Sequence, residues 1–385
     1  MGKIRYRQNR IFSGNFLALL ASFLILPAIV LLVQRQQNLS GKAQTSFCYF
    51  WPNSNSSITL QAAVTAYPCV KVGVGTFNLT SPITITSNRT LIGSGRDKTI
   101  LKAVNGNIPW PNNRMEGVLQ TVNLSDTGVQ ISELTVNANN LATYAACCRG
   151  MTINNIRATN AICNGIGIVG YGMVIRNSLI DKNGFSCPVA PPGAGIYASA
   201  YPQDGVPSSW SPVIENNEIV DNGGPGVDIN KVWRGTLIKN YIARNKGWAA
   251  VSLYGASYWT INTNTINAAY SNEVQPYHSK CVGGPRGNHN AGLFLCEDTD
   301  INNDVTISNQ IIGNKIAGWY GILSIGDDER VKYLVPHDNT FTNNIVTGSA
   351  FGCADDFKPG QWATPANTWS GNNCTGIDNT APTYF

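Results

Sequence analysis

"IENNEIVDN" at residues 214–222 returns as "IKNYIARN" at 238–245 and as "INTNTINAA" at 261–269. Upstream the same pattern is present in "INNIRATN" (153–160) and "IRNSLIDKN" (175–183), and downstream in "ISNQIIGN" (307–314). Each copy holds an Asn, one intervening residue, and then Leu or Ile. The Asn residues are 154, 177, 217, 240, 264 and 309, so the steps between them are 23, 40, 23, 24 and 45. Three of the five steps are one unit of about 23 residues, and the two long ones hold a unit plus an insertion, at 185–210 and 270–290. A fixed period in the twenties marks a solenoid. At the bends Asn tolerates left-handed backbone and bonds locally, so these Asn are read as stacked ladders rather than catalytic groups.

A second apolar run follows each repeat: "GIGIVG" (165–170), "GAGIYAS" (193–199), "GVDIN" (226–230), "AVSLYG" (250–255), "GLFLCED" (292–298) and "GILSIGDD" (321–328). Each is a short strand with alternating inward and outward positions. Such strands cannot bury a core within one unit, but coils stacked on one another can. Like strands then lie parallel, about 4.8 Å apart.

The segment 57–102, "SITLQAAVTAYPCVKVGVGTFNLTSPITITSNRTLIGSGRDKTILK", makes the pattern specific. It resembles the start of the right-handed parallel β-helix domains of the pectin-lyase-like superfamily. There a short helix caps the first coil, and a "G-T-[YF]-x-L" strand and an "L-x-G-x-G" turn follow. Ile58–Tyr67 matches the helix, Gly75-Thr76-Phe77 the strand, and Leu91-Ile92-Gly93-Ser94-Gly95 the turn. "GSG" at 93–95 runs into "RDKTI", so it does not read as a phosphate-binding loop opening a helix. The resemblance implies an all-β, single-stranded right-handed parallel β-helix with a short N-terminal capping helix, over residues 45–360. A C-terminal cap then occupies 361–385.

Ahead of this lies one transmembrane or signal helix. Phe16–Val33 is apolar apart from Ser22 and Pro27, and the tail 1–15 carries Lys3, Arg5, Arg7 and Arg10 with no acid. That asymmetry keeps the N-terminus in the cytoplasm and exports the rest. The span is long for a signal-peptide core and just long enough to cross a bilayer. Residues 16–33 are therefore expected as a signal-anchor, with 34–44 as linker; cleavage at "GKA" (41–43) would instead give a secreted protein. The formal charge of +5 misleads, since residues 1–43 hold six basic side chains and leave 5 − 6 = −1 for the remainder. Nucleic acid is thus not expected as a partner, and a monomer is expected. Ten cysteines behind an export signal read as a disulfide set, with Cys48–Cys69 and Cys353–Cys374 as the expected end closures.

The outward positions carry the chemistry. If Val227 and Ile229 point inward, Asp228 and Asn230 point outward, as do Ser252 and Tyr254 on the next coil. Both insertions would wall such a face. The superfamily resemblance implies a polysaccharide groove along outward strands. Asp228, Lys246 and His289 are the candidate catalytic groups, because a polyuronate reaction needs a cation at the carboxylate and a base for the α-proton. Arg244, Trp248, Tyr254, Trp319 and Tyr320 are candidate sugar-binding residues, although aromatics serve equally as core. Glu297, Asp298, Asp327 and Asp328 fall near successive strand ends, and a column of carboxylates invites a hard cation such as Ca²⁺. Asp355 and Asp356 extend the same column.

The polygalacturonase motifs N-T-D, G-H-G and R-I-K are missing, with only "GDDER" (326–330) supplying a D-D and "GNHNAG" (287–292) a poor G-H-G. The pectate-lyase patterns W-x-D-H and R-x-P-x-x-R are missing too. No family catalytic set transfers. The sequence thus leaves two functions open. One is a polysaccharide lyase, hydrolase or epimerase outside the cytoplasm. The other is a non-catalytic glycan-binding, structural or adhesive β-helix module.

Overall fold

The computed structural model divides the chain into Met1–Cys48 and Tyr49–Phe385. It describes residues 48–374 and 383–384, apart from 53–58, 107–115, 122, 124, 189–192, 200–209, 269–290, 297–305, 319, 326–335, 350 and 356–365. The expected membrane segment 16–33 and linker 34–44 lie outside the described residues. Among the described residues no helix is long and apolar enough to cross a membrane.

Among the described residues there is one helix, Leu60–Ala66, which follows the strand Tyr49–Trp51. Thr59 Oγ1 accepts from the Ala62 amide at 3.1 Å as N-cap, and Leu60, Ala63 and Val64 are buried. From there the described residues wind through parallel strands in two hydrogen-bonded sheets of 21 and 11 strands; the larger one folds at a corner into two ladders, the first and second sheets, and the smaller is the third. The first sheet stacks Cys69–Val72, Thr90–Ile92, Val174–Arg176, Val213–Glu215, Thr236–Ile238, Thr260–Asn262, Gln310–Ile312, Thr340–Thr342 and Thr368–Ser370. The second includes Gly75–Leu79, Thr99–Ala103, Leu179–Asp181, Glu218–Val220, Tyr241–Asn245, Thr265–Ala268 and Lys315–Ala317. Two nine-residue strands, Val129–Asn137 and Met151–Thr159, serve both sheets. They turn the corner at Glu133 and Asn155, whose φ values are 58° and 53°. The third sheet has eleven strands, among them Asn164–Ile168, Ile196–Ser199, Val227–Asn230, Ala249–Tyr254, Ala291–Cys296, Tyr320–Ile325 and Phe351–Asp355.

Register explains the core. Ile175, Ile214, Leu237, Ile261, Ile311 and Phe341 follow one another down the first sheet, each fully buried. Ile180, Ile219, Ile242, Ile266 and Ile316 do so in the second. Ile166, Ile196, Val227, Val251, Leu293 and Ile322 do so in the third. These inward columns of apolar side chains are what the sequence period encodes; the third sheet carries a second one, through Ile168, Ala198, Ile229, Leu253 and Leu295. The ladders also run past residue 360, since Thr368–Ser370 and Asn373–Cys374 form a further coil.

The corners are built differently from one another. From Arg176 onward, every described turn from the first sheet to the second is two residues long. The first of the two has φ between 52° and 62°, as in Asn177, Asn216, Lys239, Thr263, Gly313, Asn343 and Gly371. The second is Ser178 and then Asn217, Asn240, Asn264, Asn314, Asn344 and Asn372. Asn217 Oδ1 accepts the Ser178 N–H, and from Asn240 on each Asn Oδ1 accepts both the backbone N–H and the Nδ2 of the Asn one coil earlier at 2.9–3.0 Å. Asn183, Asn222 and Asn245 make the same ladder at the next corner. Asn309, Asn339 and Asn367 make it at the third.

The expected column of six Asn is corrected here. Asn217, Asn240 and Asn264 do stack, but their ladder continues through Asn314, and Asn309 belongs to another corner. Asn154 and Asn177 form a third, exposed set with Asn216.

Disulfides tie the coils. Cys353 and Cys374 are bonded as expected, and both side chains are buried. Cys48 and Cys69 are each disulfide-bonded. Cys163–Cys187 and the adjacent pair Cys147–Cys148 are further bonds that the sequence did not assign.

Candidate functional site

The long connections all border the third sheet. Residues 182–195 and 269–290 lead into it, and 200–212, 297–309, 326–339 and 356–367 lead out of it. The two-residue corner between the first and second sheets admits none. The long connections are attached at both ends of the third sheet's strands.

The outer side of this sheet is buried as well. Trp248, Ala249, Tyr254, Ala291, Phe294, Cys296, Tyr320, Leu323 and Ala354 form an apolar cluster separate from the main core. This is why "AVSLY" and "AGLFLC" lack the alternation that the other sheets show, as expected of a parallel sheet covered on both faces. Of the expected sugar-binding residues, Trp248, Tyr254 and Tyr320 share this cluster, exposed by only 5%, 6% and 6%. Trp248 and Tyr254 meet edge to face at 6.4 Å, and Tyr254 meets Phe294 at 5.7 Å. They are packed on one another rather than laid open as a platform. The Trp248 indole N–H is buried without a hydrogen-bond partner among the described residues. Trp319 lies outside the described residues.

Asp228 stands in the middle of the covered face. Val227 and Ile229 point inward as read from the alternation, so Asp228 points outward. It is in register with Tyr197 on one neighbouring coil and Ser252 on the other. The Ser252 hydroxyl donates to Asp228 Oδ1 at 2.6 Å. Burial pushes the Asp228 carboxyl up to about 6, and the Ser252 hydrogen bond opposes this only in part. A carboxyl that titrates near neutrality exchanges protons readily at physiological pH, which is the property general acid–base chemistry requires. Ser252 was legible as an outward position. Tyr197 was missed, although aligning "GAGIYAS" with "GVDIN" would have placed it beside Asp228.

Of the other expected charged groups, the two that are described, Lys246 and Arg244, contact residues other than Asp228. Lys246 is exposed at the corner after Asn245, with its ammonium 5.3 Å from the centre of the Phe185 ring. Arg244, on the exposed side of the second sheet, holds Asp221 through two hydrogen bonds of 2.8 Å. His289 lies outside the described residues. So do Glu297, Asp298, Asp327 and Asp328, and with them the expected calcium column. Asp355 is corrected: it points inward, is 2% exposed, and accepts from Trp369 Nε1 at 3.0 Å and from Asn367 Nδ2. Its strand is shifted by one position in the in–out alternation from what an outward column needs. Among the described residues no group of three or more His, Cys, Asp or Glu is placed to hold a metal.

A family model described as "Right handed beta helix region" matches residues 203–379. No curated protein matches the chain. Among solved structures, the chain is similar to the enzymatically active domain of bacteriophage CBA120 tailspike protein 2, at 8% identity and a TM-score of 0.50, over 83% of this chain and 44% of that one. It is also similar to the A-module of the Azotobacter vinelandii mannuronan C-5 epimerase AlgE6, at 18% identity and a TM-score of 0.48, over 81% and 93%. A variant catalytic domain of a GH87 alpha-1,3-glucanase in complex with nigerose shares 13% identity with a TM-score of 0.48, over 85% and 69%. The fold is a right-handed parallel β-helix, the fold that the resemblance of segment 57–102 implied.

Proposed function

We propose that this chain is a carbohydrate-active β-helix protein that works on a polysaccharide outside the cytoplasm. The chain segment would lie along the outer side of the third sheet, with Asp228 as the proton-transferring group. The observation that carries this reading is the coincidence of two features on one sheet. The long connections collect at its edges, and its centre holds a carboxyl raised to about 6. Functional loops on a rigid scaffold are the usual arrangement. The names of the similar structures, an epimerase, a glucanase and a tailspike, agree with this class, although a shared fold hosts many functions. The disulfides support an oxidising compartment, and residues 16–33 would anchor the domain with the N-terminus in the cytoplasm. Glu297, Asp298, Asp327 and Asp328 would supply calcium ligands.

The test uses the purified protein against neutral and uronate polysaccharides, with calcium and with chelator, following unsaturated products and new reducing ends. Unsaturated ends identify a lyase, reducing ends alone a hydrolase, and changed uronate stereochemistry without cleavage an epimerase. Asp228→Asn is expected to lower kcat by about 10²–10⁴-fold, the range general acid–base groups contribute. A variant as fast as wild type would remove Asp228 from the reaction.

A second reading, a non-catalytic glycan-binding module, is favoured by the position of Lys246. Its ammonium rests on Phe185 rather than beside Asp228. Retention of glycan with no product of any kind would establish it.

A further inference from the structure

The turn from the third sheet back to the first carries a group of side chains that the site above does not use. Ser211 N–H donates to Trp233 O, Arg234 N–H to Ser257 O, and Tyr258 N–H to Ile307 O, at 3.0–3.3 Å. Successive coils therefore place Ser211, Arg234, Tyr258 and Ser308 in one column, and all have φ between 47° and 61°. The left-handed backbone turns these side chains out at the corner. Arg234 is exposed and Tyr258 is 46% exposed.

Three contacts fix the group. The Trp233 and Tyr258 rings meet edge to face at 6.1 Å. Trp233 Nε1 donates to Gly255 O at 3.3 Å, which holds the indole at the corner. The Arg234 guanidinium carbon lies 5.9 Å from the centre of the Tyr258 ring. Arg157, Arg176 and Arg244 each pair with a carboxylate one coil away. Arg234 makes no ion pair among the described residues. Asp338, a described carboxylate of this corner, accepts from Ser308 Oγ at 2.8 Å. A half-exposed aromatic face with a cation held over it, and no counter-charge among the described residues, is complementary to a ring that carries an anion.

We infer that Trp233, Arg234 and Tyr258 form a surface subsite for an anionic sugar unit of a polysaccharide. The sugar ring stacks on Tyr258 and Trp233, and its carboxylate or sulfate pairs with Arg234. The corner directly follows strands Val227–Asn230 and Ala249–Tyr254. A chain bound here therefore lies at the edge of the sheet that holds Asp228, and to that extent the subsite rests on the polysaccharide reading.

The test measures affinity for polygalacturonate, dextran sulfate and neutral dextran. Asn suits left-handed backbone, so Arg234→Asn and Tyr258→Asn remove the functional groups without straining the corner. Arg234→Asn is expected to weaken binding of the anionic polymers about two- to fivefold, with dextran binding unchanged and the wild-type salt dependence reduced. Tyr258→Asn is expected to weaken it about three- to tenfold. A loss confined to one anionic polymer identifies whether carboxylate or sulfate is the ligand. The subsite is overturned if the double variant binds both anionic polymers as wild type does, or if wild type binds neither. Turnover by wild type and Asp228→Asn, measured on the same preparations, tests the catalytic reading separately.

Discussion

At Asp228 two demands oppose each other. The carboxyl is buried on a sheet face that it shares with Phe294 and Leu323, where an ionised group is poorly solvated, and among the described residues Ser252 donates to it. Its folded pKa of about 6 lies above the ordinary value of 3.8. The folded state thus holds the proton more tightly than the unfolded chain. The stability this group permits is complete below pH 3.8 and is lost as pH rises through about 6. Between pH 7 and 8 the ionised side chain costs on the order of 2–3 kcal/mol. Asp228→Asn keeps an oxygen to accept from Ser252 and removes the charge. It is expected to raise the melting temperature at pH 7.5 and to leave it unchanged near pH 3.5. Equal melting curves for variant and wild type at both pH values would show that the carboxyl is solvated. A group that costs stability at neutral pH while lying between two loop-bearing edges fits a site kept for chemistry.

Among the elements, the Asn corners hold the coils in register. Asn264 is 1% exposed. Its Oδ1 accepts from the Asn240 amide and Nδ2, and its Nδ2 donates to Leu237 O and to Asn314 Oδ1. Asn264→Ala strips partners from several buried polar atoms at once. The expected loss is about 3–5 kcal/mol in urea unfolding. Asn177→Gly, at an exposed corner with φ 52°, is expected to cost less than about 1 kcal/mol. Comparable losses at both positions would mean that the ladders do not carry the corner.

The same element shows what sequence reading reaches. The Asn-x-Leu/Ile period disclosed the coil because it records one tight turn that tolerates no insertion. It misplaced Asn309, because long connections both enter and leave the third sheet between Asn264 and that residue, at 269–290 and 297–309. "ISNQIIGN" contains two corner Asn five residues apart, and only the intact second turn identifies Asn314 as the continuation. Gly165, Gly195, Gly226, Gly292 and Gly321 open the third-sheet strands for a related reason. A Cβ on Gly195 would fall 2.6 Å from Ile219 Cγ2 and 2.7 Å from Asn222 Nδ2. The outer cluster and the Trp233–Tyr258 corner were not legible, because alternation alone does not say whether an outward side chain is covered or open.

On the scale of the whole molecule, each coil contacts only the coils before and after it. Stability in such an array is a sum of local terms, so its ends open independently of its middle. Cys353 and Cys374 bridge the third sheet and the second across the core of the final coils, closing a loop with a sequence separation of 21. A closure of that length constrains the unfolded chain by about 3 kcal/mol. Replacing both cysteines with Ala is expected to raise hydrogen exchange in Thr368–Ser370 and Asn373–Cys374. Exchange in the strands from Met151 to Ala268 should stay as slow as in wild type, and turnover dependent on Asp228 should be kept. Uniform acceleration along the chain would instead mean that the coils unfold as one cooperative unit. In that case the C-terminal disulfide would stabilise the third sheet's loop-bordered face as well as the end of the helix.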